Sequence, residues 1–247
     1  MNTQLSELLT NYGEVGGIWF DGMWDKFDAP WRLNETYALI HKHQNGALVG
    51  SNHHKAPIAG EDFQMFERDL PGENSMGFNQ TGTISELPLE MCETMNGSWG
   101  YNLADTQYKS STDLIQTLVK ASGFGANFLL NTGPMPNGKI QHENVDTLLK
   151  IGKWLEKYGE TIYDSRKGPI MPSYWGASTE KNGKVYIHVL KCKEENLFIG
   201  KLPKKIKSAK FFDDQSVVKF KETEFGVILN IPFNMKKSVD TIIQLEM

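Results

Sequence analysis

Apolar residues at Leu5, Leu8, Leu9 and Tyr12 recur at helical spacing and stop at Gly13, which predicts a helix at the start of the chain. Residues 15–20 form a compact apolar run with glycines that ends abruptly at Asp21-Gly22, the pattern of a buried strand emerging into a loop. A helical stretch over 34–43 is followed by a short apolar run over 47–50 that ends in Ser51-Asn52-His53-His54. Strand, helix, strand is an α/β rhythm. Residues 55–108 read as a long loop region punctuated by glycine and proline, a setting that often carries function. Regular pattern returns as a helix over 111–121 that Ser111 or Thr112 can cap. A buried strand over 127–131 follows, and then a helix over 143–158. Val145, Leu148, Leu149, Trp154, Leu155 and Tyr158 give that helix a broad apolar face, and Gly159 closes it. From Pro172 onward the texture changes to short alternating segments, over 185–190, 209–212, 217–220, 227–231 and 241–245, which predict a small antiparallel β-sandwich.

These elements divide the chain into residues 1–171, of α/β texture, and residues 172–247, of β texture. A complete eight-unit α/β barrel takes about 250 residues. The first part is too short for that, so half a (β/α)8-like barrel followed by a β-sandwich is the expected fold. The composition is ordinary for a globular chain: 247 residues, 39% hydrophobic, with a net charge of −4. The longest apolar runs, such as Phe128-Leu129-Leu130, fall far short of a bilayer span, so no membrane insertion is expected. Only residues 201–210 (KLPKKIKSAK) concentrate positive charge, in a strand-rich tail of an acidic protein, which argues against nucleic acid as a partner. Cys92 and Cys192 are far apart with no CxxC spacing, so neither a disulfide framework nor a zinc site is indicated. The first residues lack the basic start and apolar stretch of a signal peptide.

Asp21 closes the first strand among Trp19, Trp24 and Trp31. A carboxylate beside tryptophans suits a sugar, whose C–H faces pack on indole while its hydroxyls need acceptors. A strand-end aspartate can equally cap the following turn, and the residue pattern leaves both readings open. Glycoside hydrolysis needs a second acid, one that keeps a proton for the leaving oxygen. Among the carboxylates that follow, Glu67 stands between Phe63, Met65, Phe66 and the rest of the loop, surroundings expected to raise its pKa. A solvated loop glutamate is the alternative. His41 and His43, two apart on a helix, point to different faces, and adjacent His53 and His54 chelate one ion poorly, so no metal site is read from them. One of the latter pair can hydrogen-bond a ligand hydroxyl. Trp99, among glycines in SWGYN, is either core or a partly exposed ligand platform.

Together GGIWFDG, EDFQMFERDLPGEN, LPLEMCETMNGSWGYN and GANFLLNTGPMPNGKI resemble the α-L-fucosidases of glycoside hydrolase family 29, over residues 13–163. The resemblance implies a (β/α)8-like catalytic domain, here its C-terminal half, followed by a β-sandwich. It implies removal of terminal α-linked L-fucose from fucosylated oligosaccharides or glycoconjugates, with retention and without a metal or organic cofactor. It places the nucleophile at Asp21 and the general acid/base at Glu67, with Glu61, Glu73 and Glu90 as alternatives. Trp99 matches the aromatic that packs near the fucose methyl. Where some relatives carry an arginine after the fifth strand, this chain has Ser51-Asn52-His53-His54, and His53 is the expected substitute. Relatives have several barrel strands before the nucleophile strand, so the resemblance implies an N-terminally truncated chain. Such a chain is expected to be unstable, oligomeric or inactive without a complementary N-terminal fragment. For the complete protein the resemblance implies a periplasmic, secreted or lysosomal location. A non-catalytic carbohydrate-binding remnant is the competing expectation.

Overall fold

The computed structural model describes residues 1–26, 28–79 and 82–247 of this mixed α/β chain, which forms two compact units, Met1–Glu93 and Thr94–Met247. The sequence division at 171/172 falls inside the second unit.

In the first unit, α1 (Asn2–Asn11) is followed by β1 (Gly17–Phe20), α2 (Leu33–His43), β2 (Leu48–Ser51), β3 (Gln64–Glu67) and β4 (Leu89–Thr94), whose last residue crosses the boundary. Leu5 and Leu9 of α1 pack with Leu33, Tyr37 and Ile40 of α2 and with Val49 of β2 in one apolar cluster. The Gln44 side chain ties this layer together. Its amide donates to the Leu9 and Gly13 carbonyls (2.7 and 2.8 Å), and its carbonyl accepts from Val15 N (2.7 Å). β1 pairs in parallel with β2, and β3 in parallel with β4. Asp62 joins the two pairs: its backbone N–H donates to the Val49 carbonyl (2.8 Å), and its Oδ2 accepts from Val49 N (2.7 Å). Gly50 permits this close approach, because a Cβ there would lie 2.1 Å from the Phe63 ring.

Two expectations for this unit change. β1 is half-exposed rather than buried. Ile18 and Phe20 pack on the helical layer, while Trp19, on the opposite face, is 40% exposed. The stretch predicted as loop contains two strands, buried almost throughout, and Glu67 ends one of them. Both strands are short, and carboxylates at Glu67, Glu90 and Glu93 interrupt the apolar signal that would have marked them.

The second unit opens with α3 (Ser111–Phe124), β5 (Ala126–Asn131) and α4 (His142–Tyr158). The α3 cap is Ser110, one residue earlier than predicted, whose Oγ accepts from Asp113 N at 3.1 Å. Strands β6 (Arg166–Lys167), β7 (Gly176–Lys181), β8 (Lys184–Val189), β9 (Asn196–Ile199), β10 (Ser208–Phe211), β11 (Phe220–Glu222), β12 (Val227–Asn230) and β13 (Thr241–Glu246) follow. They form two antiparallel sheets ordered β10-β13-β8-β7-β6 and β11-β12-β9. The β7–β8 hairpin turns at Asn182-Gly183, both with positive φ (52° and 77°), as a tight hairpin turn requires.

The larger sheet is covered on both faces. Val185, Ile187 and Val189 of β8 pack with Leu197, Leu229 and Leu245, whereas Tyr186 packs with Leu114, Val119 and Trp154 of the helices. This is why β8 is buried along nearly its whole length. The apolar face of α4 is rotated from the expected one. Ile151, Trp154 and Tyr158 are buried, while Val145, Leu148 and Leu149 are exposed. β5 is partly exposed instead of buried, with Leu130 packed inward and Leu129 46% exposed. In the basic stretch, Leu202, Ile206 and Ala209 anchor in the core and Lys201, Lys204, Lys205 and Lys207 face water. No helix among the described residues is long and apolar enough to cross a membrane.

Candidate active site

The parallel strands of the first unit deliver polar side chains to their C-terminal ends, where backbone pairing stops and side chains turn toward one another. Asp21 follows β1, Asn52, His53 and His54 follow β2, and Glu67 is the last residue of β3. Asp21 is exposed; the other four are buried. Asn52 holds the constellation together. Its Nδ2 donates to Asp21 Oδ1 at 3.3 Å and to Glu67 Oε2 at 2.7 Å. Those two carboxylate oxygens can therefore be no farther apart than the sum of the two distances, 6.0 Å.

His54 adds a second contact to the same oxygen, Nε2 to Glu67 Oε2 at 2.8 Å. Its φ of +62° lies in the left-handed region, which turns the side chain back toward β3, and the Phe78 ring lies against it with centroids 5.9 Å apart. Arg68, next along the chain, also has positive φ (58°), and its Nε approaches Glu93 Oε1 at 3.4 Å. Burial pushes the Glu67 pKa up, but hydrogen bonds from His54 and Asn52, with the charges of His54 and Arg68, outweigh it and hold the carboxyl below its ordinary value. This corrects the expectation of a raised pKa. The apolar neighbours in sequence do not set the environment of the carboxyl; the polar residues at the end of β2 do.

His53 is committed elsewhere. It is buried, its Nδ1 accepts from Lys55 N at 3.1 Å, and its Nε2 meets Glu61 Oε1 at 2.8 Å. Both ring nitrogens thus have protein partners, and His54 is the histidine that reaches the paired carboxylates. The other acids are similarly accounted for. Glu61 also accepts from the Tyr37 hydroxyl (2.9 Å) and Ile58 N (3.1 Å), Glu73 is exposed, and Glu90 accepts from Trp19 Nε1 at 2.8 Å. Cys92, across the ladder from Glu67, is a buried thiol pushed up to about 12 by burial and by the charges of Glu67 and Glu90. His41 meets Asp62 (3.1 Å) and His43 meets Ser6 Oγ (3.1 Å), so the four clustered histidines serve four separate partners. Near Asp21, Trp24 is 56% exposed and Trp31 Nε1 closes a loop on the Lys26 carbonyl at 2.8 Å. In the second unit, Trp99 is 38% exposed, and Asn131 Nδ2 holds its carbonyl at 2.6 Å.

Sequence reasoning missed Asn52 and, of the adjacent pair His53 and His54, favoured His53. The SNHH tip is visible as a strand end, but which of its side chains turns toward β3 depends on the left-handed backbone at His54, which no periodicity reveals.

Comparison with known proteins gives the lineage. The family model for alpha-L-fucosidase matches residues 1–160. The chain belongs to the alpha-L-fucosidase family. An alpha-L-fucosidase of Dictyostelium discoideum is 29% identical over 203 residues, covering 79% of this chain and 42% of that protein. Human plasma alpha-L-fucosidase is 33% identical over 211 residues, covering 80% and 43% respectively. Among solved structures, alpha-L-fucosidase isoenzyme 1 from Paenibacillus thiaminolyticus superposes with a TM-score of 0.78 at 27% identity, over 100% of this chain and 61% of that one. The chain therefore spans about two fifths of the length of these curated fucosidases.

Proposed function

We propose that this chain carries the catalytic carboxylates of a retaining exo-glycosidase that removes terminal α-L-fucosyl residues from oligosaccharides or glycoconjugates. The observation that carries the reading is the Asn52 amide, bonded to both Asp21 and Glu67, which limits their facing oxygens to 6.0 Å. Retaining glycosidases place their carboxyls about 5–5.5 Å apart, whereas inverting ones separate them by about 6.5–9.5 Å to admit a water.

In the first step, Asp21 attacks the anomeric carbon and forms an ester bond to the sugar. The bond to the leaving oxygen breaks, and protonated Glu67 gives that oxygen its proton. In the second step, Glu67 as carboxylate takes a proton from water, the water oxygen attacks the anomeric carbon, and the ester breaks to restore Asp21. No metal enters either step. The lowered pKa of Glu67 suits the second step and makes the first favour acidic solution. kcat/KM should thus fall as pH rises through the Glu67 value.

In this reading the parallel strands β1 to β4 belong to the C-terminal half of a (β/α)8-like barrel, with residues 1–171 as its share and residues 172–247 as a β-sandwich. The shared core of the two antiparallel sheets supports the latter. A complementary N-terminal fragment, or a second copy, is proposed to complete the sugar site. The half-exposed Trp19, Trp24 and Leu48 of the first unit are consistent with that.

The test is hydrolysis of an aryl α-L-fucoside by the chain, alone and with an upstream fragment. Activity lost in Asp21→Ala and kept in Glu14→Ala supports the reading; full activity in Asp21→Ala overturns it. Calorimetric fucose binding by the folded protein without any turnover would favour a carbohydrate-binding remnant instead.

A further inference from the structure

Glu67 is held asymmetrically. Both Asn52 Nδ2 and His54 Nε2 bond to Oε2, at 2.7 and 2.8 Å, while among the described residues Oε1 has no comparable contact and is not one of the buried unpartnered atoms. The two contacts are not incidental to packing. Asn52 Oδ1 is buried without a hydrogen-bond partner, a cost that native structures rarely carry without reason. Rotating the amide would instead aim that oxygen at the two carboxylates, so their position fixes the side chain. His54 carries a left-handed backbone, an arrangement unfavourable for a residue with a Cβ and common at functional sites. One side chain thus leaves an acceptor unpaired, and the other bends its backbone, to reach the same oxygen atom.

We propose that Asn52 and His54 are the positioning residues of Glu67: they cap Oε2, leave Oε1 as the atom that gives and takes the proton, and through His54 set the pH at which it does so. The inference rests on the glycosidase reading above for its consequence, but not for its test. Several groups bear on the Glu67 charge. Asp21 at the end of β1 shares the Asn52 amide, and His54 donates from the end of β2. Arg68 follows Glu67 and faces Glu93, and Cys92 and Glu90 lie on β4. Asn79 Oδ1 accepts from Glu67 N at 3.1 Å. Of these, His54 is the titratable side chain in hydrogen-bond contact with Glu67, so its removal should move the Glu67 titration furthest.

The experiment is a carbon-13 NMR titration of the glutamate carboxyls in the full chain, with the Glu67 signal identified by its loss in Glu67→Gln. Wild-type Glu67 should titrate below the ordinary glutamate value of 4.5. His54→Gly suits a φ of +62° and so relieves the backbone while deleting the ring. Its Glu67 midpoint should rise by about one pH unit. His54→Asn, which also tolerates that backbone, should give a rise of the same sign, and Asn52→Ala a smaller one. An unchanged midpoint in the folded His54→Gly and His54→Asn proteins overturns the proposal. So does a wild-type midpoint at or above 4.5. Where fucoside hydrolysis is measurable, the alkaline limb of kcat/KM should move up with the NMR midpoint; a change in thermal stability with an unmoved limb marks a structural role and overturns it. The NMR shift without hydrolysis by any form of the protein supports the positioning and defeats the glycosidase reading, so the two failures are distinguishable.

Discussion

The two units bury different things. The interior of the first, around the strand ends, holds Asn52, His53, His54, Glu61 and Glu67, with Asn52 and His54 hydrogen-bonded to Glu67 and His53 to Glu61. The interior of the second, between its antiparallel sheets, holds Val185, Ile187, Leu197, Leu229 and Leu245. Apolar burial stabilises by about 25 cal/mol per Å² with little demand on direction. A buried polar cluster contributes little net stability and demands fixed geometry. The contrast supports the proposal that the chemistry belongs to the first unit, and under that proposal substitutions in the two units should separate activity from stability.

The largest expected effect is in the first unit. Asp21→Ala should lower kcat/KM by at least about 10⁴-fold, the order seen when a covalent nucleophile is removed, with little change in thermal midpoint because Asp21 is exposed. Glu67→Gln should follow, with a loss of about 10²–10⁴-fold on a substrate whose leaving group needs protonation. A much smaller loss on an aryl fucoside with an acidic leaving group would locate the deficit at proton donation. In the second unit, Leu229→Ala removes a fully buried side chain and should cost about 3 kcal/mol of stability in denaturant titration. A drop in kcat without loss of stability there would break the division of labour. Ser110→Ala removes the α3 cap and should cost about 1 kcal/mol.

The smallest effect is confined to acid. Asp213 is held down to about 2: burial raises it, but hydrogen bonds from Lys157, Lys237 and the Tyr158 hydroxyl prevail. A depressed carboxyl contributes stability that is present above its unfolded value and lost as pH falls through the folded one. The second unit should therefore lose that contribution between about pH 4 and pH 2, and Asp213→Asn should flatten the dependence.

The same contrast explains what the sequence revealed. Asp21 was legible because a glycine-bounded apolar run ends on it, and β8, β12 and β13 because apolar residues recur along them where the two antiparallel sheets share a core. β7 was not legible. Its buried residues include Ser178 and Thr179, whose hydroxyls donate to the carbonyls of Ile170 and Thr161 at 2.7 Å each, so its interior looks polar in sequence. Tyr186 and His188 of β8 look like a solvent face, yet both are buried toward the helical side. Tyr186 bonds Glu160 at 2.7 Å; His188 bonds Asp240 at 2.7 Å and Thr179 at 3.2 Å. At the candidate site, Glu67 was singled out by motif, but its environment was not legible. Phe63, Met65 and Phe66 are its neighbours along the chain, but its carboxyl meets Asn52 and His54, brought from β2 by folding.

The central claim, that Asp21 and Glu67 act on one sugar from facing positions, is most directly tested by trapping. The folded chain, with its complementary fragment if turnover requires one, would be incubated with 2-fluoro-fucosyl fluoride and its peptides mapped by mass spectrometry. The account predicts a single fucosyl adduct, on Asp21. An adduct on another carboxylate, or none under conditions where the aryl fucoside is turned over, would contradict it.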